Sequence, residues 1–115
     1  MATWVGLREV GDVAILSVVG KLTLSDGTQD VRMKVREIVD RGLRHLVLNL
    51  NDVPYVDSAG IGELVAAKKA MEHRGGRMKL LEPGKTVRDA LRVVRLDRVL
   101  DFCQDEAAAL ASFRT

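Results

Sequence analysis

A chain of 115 residues, 47% hydrophobic and 30% charged, has the size of one compact domain, and folding at that length buries roughly two-thirds of the surface its unfolded form exposes. The single cysteine, Cys103, excludes an internal disulfide and suits a reducing cytosol, where it reads as a small buried hydrophobe. No apolar run approaches the roughly 20 residues of a membrane span, no charged-then-apolar signal segment opens the chain, and a formal charge of +2 with both signs interspersed is too weak an excess to argue for nucleic acid.

Residues 3–10 and 12–19 are two extended segments around Gly11-Asp12. The second, with Val13, Ala14, Ile15, Leu16, Val18 and Val19, is mostly apolar, which predicts a β-hairpin whose second strand lies inside a sheet. Gly20-Lys21-Leu22-Thr23-Leu24 leaves the sheet, and Ser25-Asp26-Gly27 turns the chain and offers oxygens to cap a helix. From 28 to 41, Val31, Val35, Ile38 and Val39 keep helical spacing and Gly42 ends the helix. Met33 lies off that stripe, either partly exposed or part of a contact surface. Leu46, Val47, Leu48 and Leu50, bounded by Asn51-Asp52 and Pro54, read as a strand buried on both faces.

After a turn at Val56-Asp57-Ser58-Ala59-Gly60-Ile61-Gly62, the residues Ile61, Leu64, Val65 and Met71 recur at helical spacing. Lys68, Lys69 and Glu72 are left for water, and Gly75-Gly76 closes the helix. Ser58 therefore sits where a strand's carboxyl end feeds a helix's amino end, the rim at which open α/β sheets usually meet ligands and partners. Residues 77–81 make a short strand, broken by Glu82-Pro83-Gly84. Thr86, with Asp89 three residues on, starts a helix in the manner of a capping box, with Val87, Ala90, Leu91 and Val94 on its buried side. Residues 99–102 read as a last short strand, and 105–113 as an alanine-rich helix that Leu110 and Phe113 dock. The order β-β-α-β-α-β-α-β-α predicts an α/β fold: a mixed sheet of about four or five strands, parallel after its opening hairpin, packed with about four helices.

Leu46-Val47-Leu48-Asn49-Leu50, then Val56-Asp57-Ser58-Ala59-Gly60-Ile61-Gly62 and Arg74-Gly75-Gly76, resemble the STAS domain of bacterial anti-sigma-factor antagonists. Gly20-Lys21-Leu22 upstream and Leu96-Asp97-Arg98-Val99 downstream are similar to that family too, so the resemblance takes residues 1–115 as one STAS domain. It implies a cytoplasmic switch protein, not an enzyme and without a cofactor. The unphosphorylated form binds an anti-sigma factor that is also a serine kinase, and so frees a sigma factor. Phosphorylation of the motif serine, here Ser58, ends that binding, and a metal-dependent serine phosphatase restores it. On this resemblance Asp57, Ser58, Ala59, Gly60 and Ile61, with Thr23 and Leu24, form the partner-binding surface. Neither direct nucleic-acid binding nor membrane contact is implied, and weak self-association is left open. Two positions depart from the family pattern: Thr23 stands where an acid is frequent, and Asn49 where an aspartate is.

The residues make this chemistry reasonable. A serine at a helix's first turn holds its hydroxyl outward, and Gly60 and Gly62 remove bulk so that another protein can approach the backbone. A phosphate adds roughly −1.5 to −2 charge beside Asp57. Free N–H groups at the helix amino terminus partly accommodate it, so the switch is expected to act through an interface rather than through the fold. The plainer reading gives Asp57 and Ser58 to helix capping. It corresponds to a STAS scaffold or transport-accessory domain in which Ser58 is only a cap and is not phosphorylated.

Enzyme classes fit less well. A nucleophile elbow needs Gly-x-Ser-x-Gly, and Val56 occupies the first glycine's place. His73 falls roughly 22 Å along the helix from Ser58, and His45 opens the central strand, roughly 20 Å from its other end. Gly84-Lys85-Thr86 resembles the end of a P-loop, but Lys79 stands where its first glycine belongs, and the segment reads as a helix start. One cysteine and two scattered histidines offer no metal-ligand spacing. Arg88, Arg92 and Arg95 form a basic stripe, more often a solvated face than a contact for an acidic partner, and no aromatics interleave with it for nucleic acid. Trp4 reads as edge-strand packing.

Overall fold

Gly11 turns the chain with a φ of 60°, and β1 (Trp4–Val10) pairs antiparallel with β2 (Val13–Val19) on either side of it. The computed structural model describes residues 2–81 and 83–114, and Glu82 of the expected strand break lies outside them. After the hairpin come α1 (Thr28–Asp40), β3 (His45–Asp52), α2 (Ser58–Glu72), β4 (Met78–Leu81), α3 (Lys85–Val93), a single 3-10 turn (Leu96–Arg98), β5 (Phe102–Cys103) and α4 (Glu106–Ser112). The five strands lie across the sheet in chain order, and every pairing after the hairpin is parallel.

Alternation along the strands divides the core. Ala14, Leu16 and Val18 of β2, Leu46, Leu48 and Leu50 of β3, and Met78 and Leu80 of β4 meet α1, α2 and α3 on one face, through Val31, Ile38, Leu64, Met71, Val87 and Leu91. Val13, Ile15, Val47 and Leu81 meet Ala109 of α4 on the other. Val47 is thus covered on the far side of a strand whose neighbours Leu46 and Leu48 are also fully buried, as its continuous apolar run requires. His45 is buried at the start of β3, its ring stacked on Phe113 with centroids 4.4 Å apart, and its Nδ1 accepts the Arg77 N–H at 3.1 Å. Burial is the main influence that lowers its pKa; Asp12 opposes this, and Arg77 and Arg44 add to it.

Several expectations about boundaries change. The last strand is Phe102–Cys103 rather than 99–102, because residues 96–98 wind into the 3-10 turn and Leu100, 3% exposed, plugs the main core. Helix α3 starts at Lys85 with Gly84 as N-cap and no side-chain cap. Asp89, expected to close a capping box with Thr86, pairs with Lys85 at 2.6 Å instead. Val94 lies just past that helix and is half exposed. The N-cap of α1 is Gly27 at φ 87°, again without a side-chain cap, since the turn before it is closed by Thr23. Cys103 is only partly buried, against the smaller core. Trp4 lies on the edge strand with its ring over Gly6, where a Cβ would meet it at 2.2 Å.

Candidate functional site

The rim around Ser58 is built from two segments that leave the sheet together. Where β2 and β3 end, the Gly20 N–H donates to Asp52 O at 3.0 Å and the Leu22 N–H to Tyr55 O at 3.0 Å, while the Asp57 N–H donates back to Leu22 O at 3.4 Å. Residues 20–24 and 52–57 therefore run side by side beyond the sheet, with a parallel bridge between Leu22 and Val56. Buried Leu22 and Val56 hold this extension to the main core.

Asp57 closes the assembly. It is the N-cap of α2, its Oδ1 accepting the Gly60 N–H at 2.9 Å, and its Oδ2 accepts the Leu24 N–H at 3.0 Å from across the rim. These bonds favour the carboxylate, so its pKa lies below the ordinary Asp range, with the Leu24 amide the first cause and the Gly60 amide the second. Ser58 follows as the first residue of α2. It is exposed, and its hydroxyl makes no hydrogen bond to any described residue. The capping role that the plainer reading shared between Asp57 and Ser58 thus belongs to Asp57 alone.

The other expected contact residues divide. Leu24, 78% exposed, stands out at the tip of the β2–α1 loop, and Ala59 and Ile61 are half-buried in the first turn of α2. Thr23 does not face outward. It is buried, its backbone exchanges hydrogen bonds with Asp26, and its Oγ1 accepts the Asp26 N–H at 3.2 Å, so its side chain shapes the turn. Gly60 is buried as well. A Cβ there would lie 2.0 Å from Leu22 O, so the neighbour that its bare backbone admits is this chain's own loop. Gly62 is exposed with open space over it. Asn49, half-buried, accepts the Asn51 N–H at 3.0 Å.

Sequence reasoning missed two features beside the rim. Tyr55, half exposed, belongs to the paired segments, its carbonyl accepting the Leu22 N–H; a tyrosine between Pro54 and the motif was the available signal. Glu63, 6% exposed, is held by Arg32 Nη2 at 2.9 Å. It shares a helical face with Ala67 and Ala70 at spacings of four and seven, and that face could have flagged it. Together with Ala59, Gly62 and Val35 these residues line a groove of about 590 Å³ between α1 and α2. His73 is the C-cap of α2, at the helix end opposite Ser58, and His45 opens β3, so neither can serve as a base for Ser58. Among the described residues, no group of three or more His, Cys, Asp or Glu is arranged to hold a metal, and no helix is long and apolar enough to cross a membrane.

Known proteins are similar to this chain in sequence and fold. A Thermotoga maritima protein, provisionally named an anti-sigma factor antagonist, is 27% identical over 105 residues, 91% of this chain and 93% of that one. The crystal structure of an anti-sigma factor antagonist from Mycobacterium paratuberculosis superposes with a TM-score of 0.85 at 18% identity, over 99% of this chain and 96% of that one. The Bacillus cell fate determinant SpoIIAA in its phosphorylated form superposes with a TM-score of 0.73 at 21% identity, over 95% and 99%. At such identities the two structures speak for the fold alone. With the family profile matched from residue 5 to residue 109, across every strand and the Ser58 rim, the chain belongs to the STAS domain family.

Proposed function

We propose that this chain is an anti-sigma factor antagonist, a cytoplasmic binding module of one domain, without catalysis of its own, switched by phosphorylation of Ser58. The observation that carries the reading is the unengaged Ser58 hydroxyl at the start of a helix that Asp57 has already capped. A modifying enzyme meets that oxygen without dismantling a hydrogen bond. The names of the relatives, anti-sigma factor antagonists, support an anti-sigma factor as the partner; in this reading that factor is also the serine kinase, and a metal-dependent serine phosphatase opposes it. Leu24, Ser58, Ala59, Ile61 and Gly62, with Tyr55 beside them, supply the contact surface, while Asp57, Gly60 and Thr23 hold its shape.

A phosphate on Ser58 brings roughly two negative charges next to a carboxylate that is already ionised. The first-turn amides of α2 offer partial compensation, but Asp57 occupies the Gly60 N–H. Docking a partner over this pair of anions strips their water, and that desolvation opposes binding. The scaffold reading, in which Ser58 serves only as a cap, has no support from a hydroxyl that caps nothing.

The test uses the natively purified chain with its candidate kinase and ATP. Intact mass and peptide mapping are expected to place one phosphate on Ser58. Ser58→Ala is expected to bind the unphosphorylated-state partner as wild type does, and Ser58→Glu at least about tenfold more weakly. Equal binding by the two variants would sink the switch.

A further inference from the structure

The end of α3 and the 3-10 turn after it form a corner that the Ser58 rim does not use. Val87 and Leu91 anchor it from α3, and Leu100, 3% exposed, from beyond the turn. Between these anchors Val93, Val94 and Val99 stand 83%, 49% and 53% exposed. Arg92, Arg95 and Arg98, together with Asp97, line a concavity of about 320 Å³ beside them. Arg92 has one loose carboxylate neighbour, Asp89 at 3.8 Å, while Arg95 and Arg98 make no ion pair with any described residue.

Arg95 also sits at φ 61°, the single positive φ outside glycine among the described residues. It follows the C-cap Val94 of α3, where a helix favours glycine. An L side chain in that conformation is strained, because its Cβ crowds the following carbonyl oxygen. The backbone thus works against an arginine here, and strain of this kind points to a use for the side chain.

We propose that this corner docks an acidic, aliphatic segment of a protein partner, its carboxylates entering the Arg92–Arg95–Arg98 concavity and its apolar side chains covering the three valines. Charge complementarity selects the occupant: two guanidiniums without carboxylates converge on a hollow, the geometry that takes discrete carboxylates in forked pairs. An anionic lipid surface prefers a basic face flanked by Trp, Phe or Leu, and the exposed apolar side chains of the corner are valines.

The experiment pans a phage-displayed random dodecapeptide library on the wild-type chain, with counter-selection on an Arg95→Glu/Arg98→Glu variant. Enriched peptides are expected to combine Asp or Glu with Val, Leu or Ile, and the tightest, made synthetically, to shift backbone amides of residues 92–99 in NMR spectra. Arg95→Gly separates binding from folding, because glycine fits the positive φ. This variant is expected to melt no lower than wild type yet to bind the peptide about tenfold more weakly. Enrichment of peptides lacking acids, or of none, overturns the proposal, as does binding unaffected by Arg95→Gly or a lower melting temperature for that variant. Phosphatidylserine vesicles that retain the wild type but not the double variant, with no acidic peptide enriched, assign the corner to membranes instead and equally overturn it.

Discussion

Asp57 has both carboxylate oxygens committed within the chain, one to its own helix and one to Leu24, 33 residues earlier. Its depressed pKa means that the folded state holds this group ionised more strongly than the unfolded chain does. The stabilisation is therefore complete above the ordinary carboxylate pKa of about 4 and disappears as pH falls through the folded value. Urea midpoints measured from neutral pH downward are expected to show an acid-side loss that is shallower in Asp57→Asn, with little difference in slope above about pH 5. Gly60 makes a steric prediction. Its missing Cβ leaves room for Leu22 O, so Gly60→Ala drives a methyl to within 2.0 Å of a carbonyl oxygen and is expected to destabilise by about 3 kcal/mol in denaturant melts. The cap was legible from Asp57 preceding an apolar helix, whereas the second bond was not, because nothing local in the sequence reports a partner in another loop. The same distance in sequence explains why Gly60 reads as an opening for a partner and proves to be a seat for Leu22.

At the level of elements, α1 and α2 are joined across their groove by Arg32 and Glu63. The carboxylate is 6% exposed and the guanidinium side chain 65%. Removing the cation leaves a buried anion unpaired, whereas removing the anion leaves an arginine in water. Arg32→Ala is thus expected to lower stability by about 1–2 kcal/mol, softened by solvent at the exposed partner, and Glu63→Leu to change it by less than about 1 kcal/mol, both read from urea unfolding. Helix periodicity disclosed α1 and α2 nearly to their ends. It also found α3, with Val87 and Leu91 on its buried side and its start and end each displaced by one residue. The reading failed beyond that helix, where residues 96–98 wind into a 3-10 turn and the last strand holds only Phe102 and Cys103. Val99 and Leu100 are equally apolar in sequence, yet one faces water and the other fills the core, and only the turn's geometry separates them. The docking of α4 by Phe113 was readable, but its contact was not, since His45 lies at the far end of the strand sequence and meets Phe113 by stacking.

For the whole molecule, the formal charge of +2 falls to about zero when a phosphate carrying roughly two negative charges is added. The surface field changes while the cores on both faces of the sheet remain untouched, since Ser58 belongs to neither. Ser58→Glu and wild type are expected to melt within about 2 °C of each other; a larger gap in calorimetry would move the switch from the interface into the fold. The α/β class, the opening hairpin and the parallel remainder follow from the sequence because the apolar runs of β2, β3 and β4 match their burial. One feature of that sheet bears on how the protein is made. Since its strands stand side by side in the order of synthesis, each emerging strand after the first can add to an edge already present, and only the face that α4 covers waits for the last stretch to be translated.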